Sequence, residues 1–219
     1  MKPDSDFQLV ESILWNLRFS LLDEHLQRLE GSSKTFGFVF QRKSIESRLR
    51  DLEKAKLTKG NSYKVRLLVS GSGACTLETE EIRIQKRHAW NCAVSALPTD
   101  SRDIYLYHKT TNRSLYNTEL TKYRHMGYDE VLFCNEHGDV TEGSITNILA
   151  KMNGTWVTPD VQYGLLAGVY RGRLLRRMNG RLHAVRISMR ELLQAERILL
   201  CNSVRGCVSV GKLDTNVRS

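Results

Sequence analysis

Short apolar segments divided by turn signals fill residues 129–159, and they limit what this chain can fold into. The pair Asn153-Gly154 stands between two of these segments and is typical of a tight β-hairpin. The run "NEHG" at 135–138 reverses the chain in the same way. Together these signals predict a meander of three strands over "DEVLFCNEHGDVTEGSITNILAKMNGTWVTP".

The second strand of this meander, "DVTEGSITNIL", carries a carboxylate at Glu142. A glutamate that follows a turn is ordinarily a surface residue, but a strand that packs on both sides buries it. Burial of a lone carboxylate costs several kcal/mol unless a partner compensates for the lost hydration. The sequence therefore predicts that Glu142 has a specific partner.

The rest of the chain alternates helical and strand patterns. Before the meander we expect strands at "FQLVESILW", "NLRFSLL" and twice within 63–82, and helices from an N-cap at Asp23 to Gly37, at 44–57 and at 111–127. After it we expect a helix that begins just after Gly168, the strand "LHAVRIS", the helix "MRELLQAERI" and a final strand, turn and strand. This order predicts an α+β or α/β fold with mixed sheets.

Two subdomains are expected. The stretch "PTDS" at 98–101 is the best candidate for a connection between them, because it is rich in turn-forming residues. We place a smaller N-terminal α/β subdomain at 1–100, a linker at 101–110 and a larger C-terminal subdomain at 111–219.

Composition and charge narrow the class of protein. No run approaches the roughly 20 apolar residues that span a bilayer, and the first residues lack the apolar centre of a signal peptide. The five cysteines have no zinc-ligand spacing and are expected to be reduced core thiols. We therefore expect a cytoplasmic protein with no membrane partner.

The formal net charge of +9 includes seven arginines between Val161 and Arg190, with no acidic residue among them. A nucleic-acid binder has such a run, but it also interleaves aromatic side chains, and none of Phe, Trp or Tyr lies between Arg171 and Arg190. A solvated helix face or a site for small anions explains the run better, so no nucleic-acid partner is expected.

Several catalytic motifs are missing from the sequence. The glycines of "SGSGA" at 70–74 lack the lysine and hydroxyl residue of a phosphate-binding loop, so we interpret them as a hairpin turn. The histidines lack the paired spacing of a metal site, and there is no GxSxG nucleophile elbow. No metal is expected.

Three features remain, and they suit one ligand. Lys109 in "YHKTTNR" supplies an amine that can form a Schiff base, although a lysine after the expected strand "IYLY" is ordinarily solvated. Glu142 can hold a ring nitrogen protonated, and the amides that follow Gly168 can cradle a phosphate. A Schiff-base lysine, a pyridinium partner and a phosphate cup are the requirements of pyridoxal 5′-phosphate.

The sequence resembles the fold-type IV pyridoxal-phosphate enzymes, which include D-amino-acid and branched-chain aminotransferases and 4-amino-4-deoxychorismate lyase. The resemblance covers nearly the whole chain. It is carried by "HLQRLEGSSKTFGF", "HKTTNR", "DVTEGSITNIL", "LLAGVYRGRLL" and "CNSVRGCVSV". The 33 residues that separate Lys109 from Glu142 also suit this family.

The resemblance implies a role for each matching residue. Lys109 would form the Schiff base with the cofactor, and Glu142 would contact the pyridine nitrogen. The phosphate would be held by Arg28, Ser203 and the backbone amides of Val169 and Tyr170. Many members have threonine where this chain has Tyr170, which leaves a side-chain contact there open. Asn147 would either support the strand beside the ring or serve only to satisfy backbone groups.

Within the family, the sequence is most similar to the lyase group. Branched-chain aminotransferases place a tyrosine five residues after the lysine, where this chain has Ser114. Asn112 and Arg113 after the lysine, and "NSVRG" at 202–206, are typical of the lyases. The chain also begins almost at "FQLVES", where many relatives carry an extra strand pair.

The resemblance thus implies a small-molecule substrate, 4-amino-4-deoxychorismate, and the products 4-aminobenzoate and pyruvate of folate biosynthesis. Arg113 and Arg205 are candidates for the substrate carboxylates, or else ordinary surface arginines. The resemblance further implies a homodimer and joint action with an aminodeoxychorismate synthase. A branched-chain or D-amino-acid aminotransferase, and a homologue that binds the cofactor but catalyses nothing, remain as alternatives.

Overall fold

The computed structural model describes residues 7–83 and 89–215, and these form two compact units. Within the described ranges, unit 1 contains residues 7–83 together with His108–Asn112, and unit 2 contains residues 89–107 and 113–215. This division differs from the subdomain boundary that the sequence suggested near residue 100. No described helix is both long and apolar enough to cross a membrane.

Unit 1 is a three-stranded antiparallel sheet with two helices. Its strands, in the order β1-β2-β3, are β1 (Leu9–Trp15), β2 (Ser62–Val69) and β3 (Cys75–Ile82), and its helices are α1 (Leu22–Phe36) and α2 (Arg42–Lys56). Helix α1 packs on β1 because its apolar residues, spaced by three and four positions, bury one face. The glycine-rich segment 70–74 is the expected turn between β2 and β3.

The first turn of unit 1 differs from the sequence prediction in two ways. Residues 16–21 form no second strand, because only one bridge, between Trp15 and Phe19, links them to β1. The N-cap of α1 is Leu21, with a left-handed φ of 54°, and not Asp23. The predicted stop is confirmed, since Gly37 ends α1 with a φ of 69°.

The segment His108–Asn112 returns to unit 1 and runs beside β1. The amide of Val10 donates to the carbonyl of Lys109 at 2.9 Å, and the amide of Thr111 donates to the carbonyl of Gln8 at 2.8 Å. A bridge between Leu9 and Thr110 lies between these two bonds. Lys109 is therefore fixed through its backbone to the edge of β1.

Unit 2 is built on a mixed eight-stranded sheet with the order β10-β11-β4-β5-β6-β7-β8-β9. Its strands are β4 (Trp90–Val94), β5 (Glu130–Cys134), β6 (Val140–Gly143), β7 (Asn147–Met152), β8 (Thr155–Pro159), β9 (Leu182–Val185), β10 (Arg197–Asn202) and β11 (Gly206–Asp214), and its helices are α3 (Ser114–His125), α4 (Val169–Met178) and α5 (Met189–Leu193). Because β10 also pairs with β7, six of the strands form a closed ring. Buried apolar residues such as Leu132, Ile148 and Leu200 pack as its core.

The pairing of strand β4 explains why the boundary between the two units differs from the subdomain boundary predicted near residue 100. Residues Cys92–Val94 pair in parallel with β5, and β4 also pairs in parallel with β11, so this strand is an internal member of the unit 2 sheet. The mixed α and β architecture that the sequence predicted is confirmed. The segment "IYLY", expected to be a strand, is instead a 3-10 helix at Ile104–Tyr107.

The meander at 129–159 has four strands where three were predicted. The turn at 135–138 is confirmed by the positive φ of Gly138, and the hairpin at Asn153-Gly154 by φ values of 48° and 76°. The segment expected to be one strand through Glu142 breaks after Gly143 into β6 and β7. Only Glu142 and Asn147 pair across that break, which makes it a tight turn over residues 144–146.

Candidate active site

Glu142 is the last residue but one of β6, and its carboxylate is held from both sides. The hydroxyl of Tyr116 donates to Oε1 at 3.2 Å, and the side-chain amide of Asn147 donates to Oε2 at 3.2 Å. Glu142 is only 8% exposed. Since both groups donate, the carboxylate is oriented as an acceptor, the form that pairs with a cationic ring nitrogen.

The surroundings of Tyr116 keep its hydroxyl as a hydrogen-bond donor to Glu142. Its ring is buried on α3 and packs edge-on against Phe133, with ring centroids 4.6 Å apart. Burial, together with the neighbouring Glu142 carboxylate, raises the pKa of the Tyr116 hydroxyl well above its usual value. The hydroxyl therefore stays protonated at neutral pH and stabilises the Glu142 carboxylate. Sequence reasoning missed this residue.

A second carboxylate, Glu130, lies under the turn between β6 and β7. It is 1% exposed and accepts hydrogen bonds from the hydroxyls of Ser144 and Thr146 and from the amides of Val131 and Ile145. Burial raises the pKa of Glu130, and these hydrogen bonds oppose the rise.

Two asparagines connect the loops around Glu142. Asn147 also donates to the carbonyl of Leu166, at 2.9 Å, just before α4. Asn202 donates to the carbonyl of Ile145 at 3.2 Å, and its side-chain oxygen accepts from the amides of Val204 and Arg205. The turn between β6 and β7, the start of α4 and the turn between β10 and β11 are thus joined by side-chain hydrogen bonds. Asn202 was not identified as a site residue from the sequence, although it stands in the "NSVRG" segment.

Helix α4 begins where the sequence predicted, with Gly168 as N-cap. Gly168 has no side chain to cap the first amides, so the amides of Val169 and Tyr170 are placed to bind an anion at the positive end of the helix. A Cβ added at Gly168 would lie 1.8 Å from Oδ1 of Asn147. Only glycine therefore fits between this helix start and the Glu142 hairpin.

The Tyr170 side chain lies among apolar residues near the last two strands. Its ring packs in the apolar cluster that contains Leu149 and Cys201, and its hydroxyl lies 3.5 Å from the Cβ position of Gly206. The Tyr170 side chain thus points to the turn between β10 and β11, which also carries Ser203. Its backbone amide is left as the group suited to an anion.

The two candidate arginines for substrate lie in different surroundings. The Arg113 guanidinium lies over the Tyr116 ring, 5.5 Å from its centroid, and donates to the carbonyl of Ser144. Its Nε is buried and has no hydrogen-bond partner among the described residues. Arg205 is exposed and lies 5.8 Å from the centroid of the Trp90 ring. Arg113 therefore belongs to the Glu142 cluster, whereas Arg205 stacks on the surface.

In unit 1, Arg28 forms a bidentate pair with a buried carboxylate. Its Nε and Nη2 donate to Glu11 at 2.8 and 2.6 Å, and Nδ1 of His25 lies 2.6 Å from the same carboxylate. Burial alone would raise the pKa of Glu11, but the charges of Arg28 and His25 outweigh it and lower that pKa to about 2. Arg28 is thus held in one orientation by Glu11.

Lys109 is half-buried in the segment fixed to β1. In the preceding residue, His108, ring atom Nδ1 lies 2.9 Å from the hydroxyl oxygen of Ser32, at hydrogen-bond distance. The His108 ring also packs edge-on against Phe36. Burial lowers the pKa of His108 and so favours its neutral form. The Lys109 segment is therefore held by backbone hydrogen bonds at Lys109 and Thr111 and by the side-chain contacts of His108.

The predicted site residues fall into two sets. Unit 1 contains Arg28 and Lys109, and unit 2 contains Arg113, Glu142, Asn147, Val169, Tyr170, Ser203 and Arg205. Within unit 2 the structure brings Glu142, Asn147 and Arg113 together, and it places the Val169 and Ser203 segments around them through hydrogen bonds of Asn147 and Asn202.

These groups fit pyridoxal phosphate by their chemistry. Unit 2 offers an oriented, buried carboxylate for a cationic nitrogen, and a helix start without a capping side chain for a phosphate. Unit 1 offers an amine at Lys109 and an oriented guanidinium at Arg28. By its chemistry, the set in unit 2 matches the ring nitrogen and the phosphate of that cofactor, and the set in unit 1 matches its aldehyde and its phosphate.

Comparison with known sequences agrees with this chemistry. The family described as "Amino-transferase class IV" matches residues 8–213. A Schizosaccharomyces pombe protein provisionally named aminodeoxychorismate lyase is 29% identical over 204 residues, which cover 90% of this chain and 86% of that protein. The aminodeoxychorismate lyase of Saccharomyces cerevisiae is 27% identical over 265 residues, which cover 92% of this chain and 70% of that enzyme.

Comparison with solved structures gives the same fold. A Mesorhizobium loti protein provisionally assigned as an amino-acid aminotransferase superposes with a TM-score of 0.87 at 32% identity. The match covers 95% of this chain and 100% of that one.

Proposed function

Since the chain belongs to the class IV aminotransferase family, whose members depend on pyridoxal phosphate, we propose that it is a lyase that splits 4-amino-4-deoxychorismate into 4-aminobenzoate and pyruvate. The observation that carries the cofactor assignment is the buried Glu142 carboxylate, which Tyr116 and Asn147 orient as an acceptor. The two similar lyases support the choice of reaction.

Each proposed residue acts at a defined atom. Glu142 holds a proton on the ring nitrogen, because an oriented carboxylate stabilises the cationic form of that nitrogen. Arg28, the amides of Val169 and Tyr170 and the hydroxyl of Ser203 bind the phosphate. When bound, pyridoxal phosphate supplies an aldehyde for Lys109 and an electron sink for the substrate.

Lys109 carries the proton transfers. Its amine would hold the aldehyde of the cofactor, and it would remove the proton at the amine-bearing carbon of the substrate. The same amine then returns a proton to the enolpyruvyl methylene as pyruvate leaves. The bond between the ring carbon and the enolpyruvyl oxygen breaks, and the ring that has lost its proton becomes aromatic. The overall change is an elimination that needs no external oxidant.

The substrate side distinguishes this lyase from an aminotransferase. A cyclic dicarboxylate needs room and positive charge, whereas a small aliphatic amino acid needs an apolar wall. Ser114, five residues after Lys109, offers no such wall, and Arg113 supplies a guanidinium whose Nε lacks a hydrogen-bond partner among the described residues. We propose Arg113 as the carboxylate-binding residue.

An aminotransferase is the second candidate, and the similarity to the Mesorhizobium loti protein favours it. It would use Lys109, Glu142 and the phosphate-binding groups in the same way, so those residues do not discriminate. An aminotransferase would instead return the proton to the cofactor carbon and release a keto acid.

The test is product analysis with purified, cofactor-supplemented protein. We expect 4-aminobenzoate and pyruvate in equal amounts from authentic 4-amino-4-deoxychorismate, and little transfer from leucine, valine or D-alanine to 2-oxoglutarate. The Lys109→Ala variant is the control and should release neither product. Rapid transamination without 4-aminobenzoate would favour the aminotransferase, and a cofactor-bound protein inert in both assays would be a degenerate homologue.

Three further parts of the proposal concern assembly and location. A homodimer, and joint action with an aminodeoxychorismate synthase, follow from the family resemblance. The five cysteines carry free thiols, which supports a reducing, cytoplasmic location. Light scattering of the purified protein tests the homodimer, and co-purification with a tagged synthase tests the partner.

A further inference from the structure

We propose that Glu130 is a positioning residue, which shapes the turn between β6 and β7 and thereby fixes Glu142 and Asn147 opposite each other. This inference rests on the proposed function, because it assigns Glu130 a role in presenting Glu142 to the cofactor ring. Glu130 itself is not expected to touch cofactor or substrate.

The hydrogen bonds of Glu130 match the four lone pairs of a carboxylate. Oε1 accepts from the backbone amide of Val131 at 3.0 Å and from the hydroxyl of Ser144. Oε2 accepts from the backbone amide of Ile145 at 3.1 Å and from the hydroxyl of Thr146 at 2.9 Å. Each oxygen therefore takes one amide and one hydroxyl, and all four donors are electrically neutral.

The turn is folded around this carboxylate. Three of its donors are the consecutive residues Ser144, Ile145 and Thr146, which form the whole connection between β6 and β7. A Cβ added at Gly143 would lie 3.0 Å from the Glu130 carboxyl group and 2.4 Å from the Thr146 hydroxyl oxygen. Glycine is thus needed where the strand passes closest to Glu130.

The same turn determines the geometry of Glu142. The amide of Gly143 donates to the carbonyl of Thr146 at 2.8 Å, and Glu142 pairs with Asn147 immediately outside that bond. The Asn147 amide can reach the Glu142 carboxylate only if the turn has this shape. Removal of the Glu130 carboxylate should therefore disturb the position of the Glu142 carboxylate, which is proposed to face the cofactor ring.

A glutamine at position 130 cannot replace the carboxylate. Hydroxyls can rotate and accept from an amide group, but a backbone amide can only donate. Because each oxygen of Glu130 accepts from a backbone amide, the NH2 of glutamine would face either Val131 or Ile145, donor against donor. Glu130→Gln is therefore a sharp test that preserves volume and removes one acceptor.

The experiment compares Glu130→Gln with wild-type enzyme in three measurements. Hydrogen exchange should be faster by roughly 10-fold or more at whichever of the Val131 and Ile145 amides faces the glutamine NH2, since that amide loses its acceptor. The pH midpoint of the visible absorption of bound cofactor should shift, because the Glu142 charge tunes the ring. In lyase turnover, kcat should fall at least ~10-fold with KM changed by less than about 3-fold, as expected for a group that acts in the transition state.

Glu119→Gln is the matched control. Glu119, on α3, is also a buried carboxylate of unit 2 and is 4% exposed. It accepts a hydrogen bond of 2.6 Å from the Ser95 hydroxyl. This variant should lower stability without shifting the absorption midpoint or the exchange at Ile145. An equal spectral shift in both variants would mean that Glu130 acts only through general stability, and would overturn the inference.

If Glu130→Gln does not fold, the Thr146→Val variant tests the positioning role in its place. It removes one hydroxyl donor to Glu130 and leaves the carboxylate and both backbone amides unchanged. A spectral shift in the same direction, smaller than about 0.5 pH units, is expected from the loss of one neutral hydrogen bond. No shift in Thr146→Val, or an unchanged spectrum and kcat in folded Glu130→Gln, refutes the positioning role. Failure of wild-type protein to bind cofactor would instead refute the proposed function, and exchange at the Val131 and Ile145 amides would still report whether Glu130 anchors the turn.

Discussion

The Glu11→Gln substitution in unit 1 gives the sharpest test of how electrostatics stabilise this protein. Glu11 is 1% exposed, and its carboxylate accepts two hydrogen bonds from Arg28 and lies 2.6 Å from the His25 ring nitrogen. Glutamine preserves the volume and one oxygen acceptor but removes the negative charge. The substitution therefore removes the charge and one acceptor for Arg28, with little change in volume.

The magnitude follows from the pKa of Glu11. Arg28 and His25 together outweigh the effect of burial and lower it from an ordinary 4.5 to about 2 in the folded protein. One unit of pKa corresponds to about 1.4 kcal/mol, so the ionised Glu11 contributes on the order of 3 kcal/mol to stability at neutral pH. Glu11→Gln should lower the free energy of unfolding by about that amount at pH 7.

The stabilisation by Glu11 should depend on pH in a defined direction. Because the folded pKa is lower than the unfolded one, the contribution is fully present above pH 4.5 and is lost as the pH falls towards 2. The difference between wild type and Glu11→Gln should therefore shrink steadily from pH 5 to pH 3. Urea unfolding followed by circular dichroism at several pH values measures this difference.

The control for this experiment is Glu78→Gln. Glu78 forms an exposed pair with Arg66 at 3.4 Å on the same sheet, and such pairs are screened by water. This variant should change stability little at either pH. A loss in Glu11→Gln that is the same at pH 7 and pH 3 would show that packing, not charge, holds this cluster together and would refute the reasoning.

Three further substitutions test the Glu142 cluster. Glu142→Gln should retain cofactor, seen as visible absorbance, but lower turnover at least ~100-fold, or about 3 kcal/mol in the barrier, and near wild-type turnover would contradict the role of its charge. Tyr116→Phe removes the donor to Glu142 and should lower the free energy of unfolding by about 1 kcal/mol in urea titrations, with a fall in kcat and little change in KM. Gly168→Ala would place a Cβ 1.8 Å from Oδ1 of Asn147 and should weaken cofactor binding in spectroscopic titration, whereas unchanged affinity would show that Asn147 can move freely.

Local chemistry explains which elements the sequence predicted correctly. Asn153 and Gly154 adopt positive φ, as their hairpin requires, and Gly37 and Gly168 stand at helix ends where glycine is favoured. Each of these signals depends on neighbours within a few residues. The sequence could therefore define the turn, the helix end and the helix start without knowledge of the fold.

The errors occurred where tertiary contacts outweigh local pattern. The alternation around Glu142 suggested one continuous strand. Residues 144–146 instead form a turn over Glu130, because all three donate hydrogen bonds to its carboxylate. The segment "IYLY" has strong β propensity and yet forms a 3-10 helix at Ile104–Tyr107. Strand β4 joins unit 2 because its partners β5 and β11 lie there, which no local pattern within residues 90–94 reveals.

The sequence by itself determined that Glu142 needs a partner, since burial of a carboxylate is costly wherever it occurs. Only the tertiary structure decided which groups meet that need. Tyr116 donates to Glu142 across 26 residues of sequence, and Asn202 reaches the same turn across 57. The geometry of a hydrogen bond depends on how distant segments pack, and the identity of either residue alone does not specify its partner.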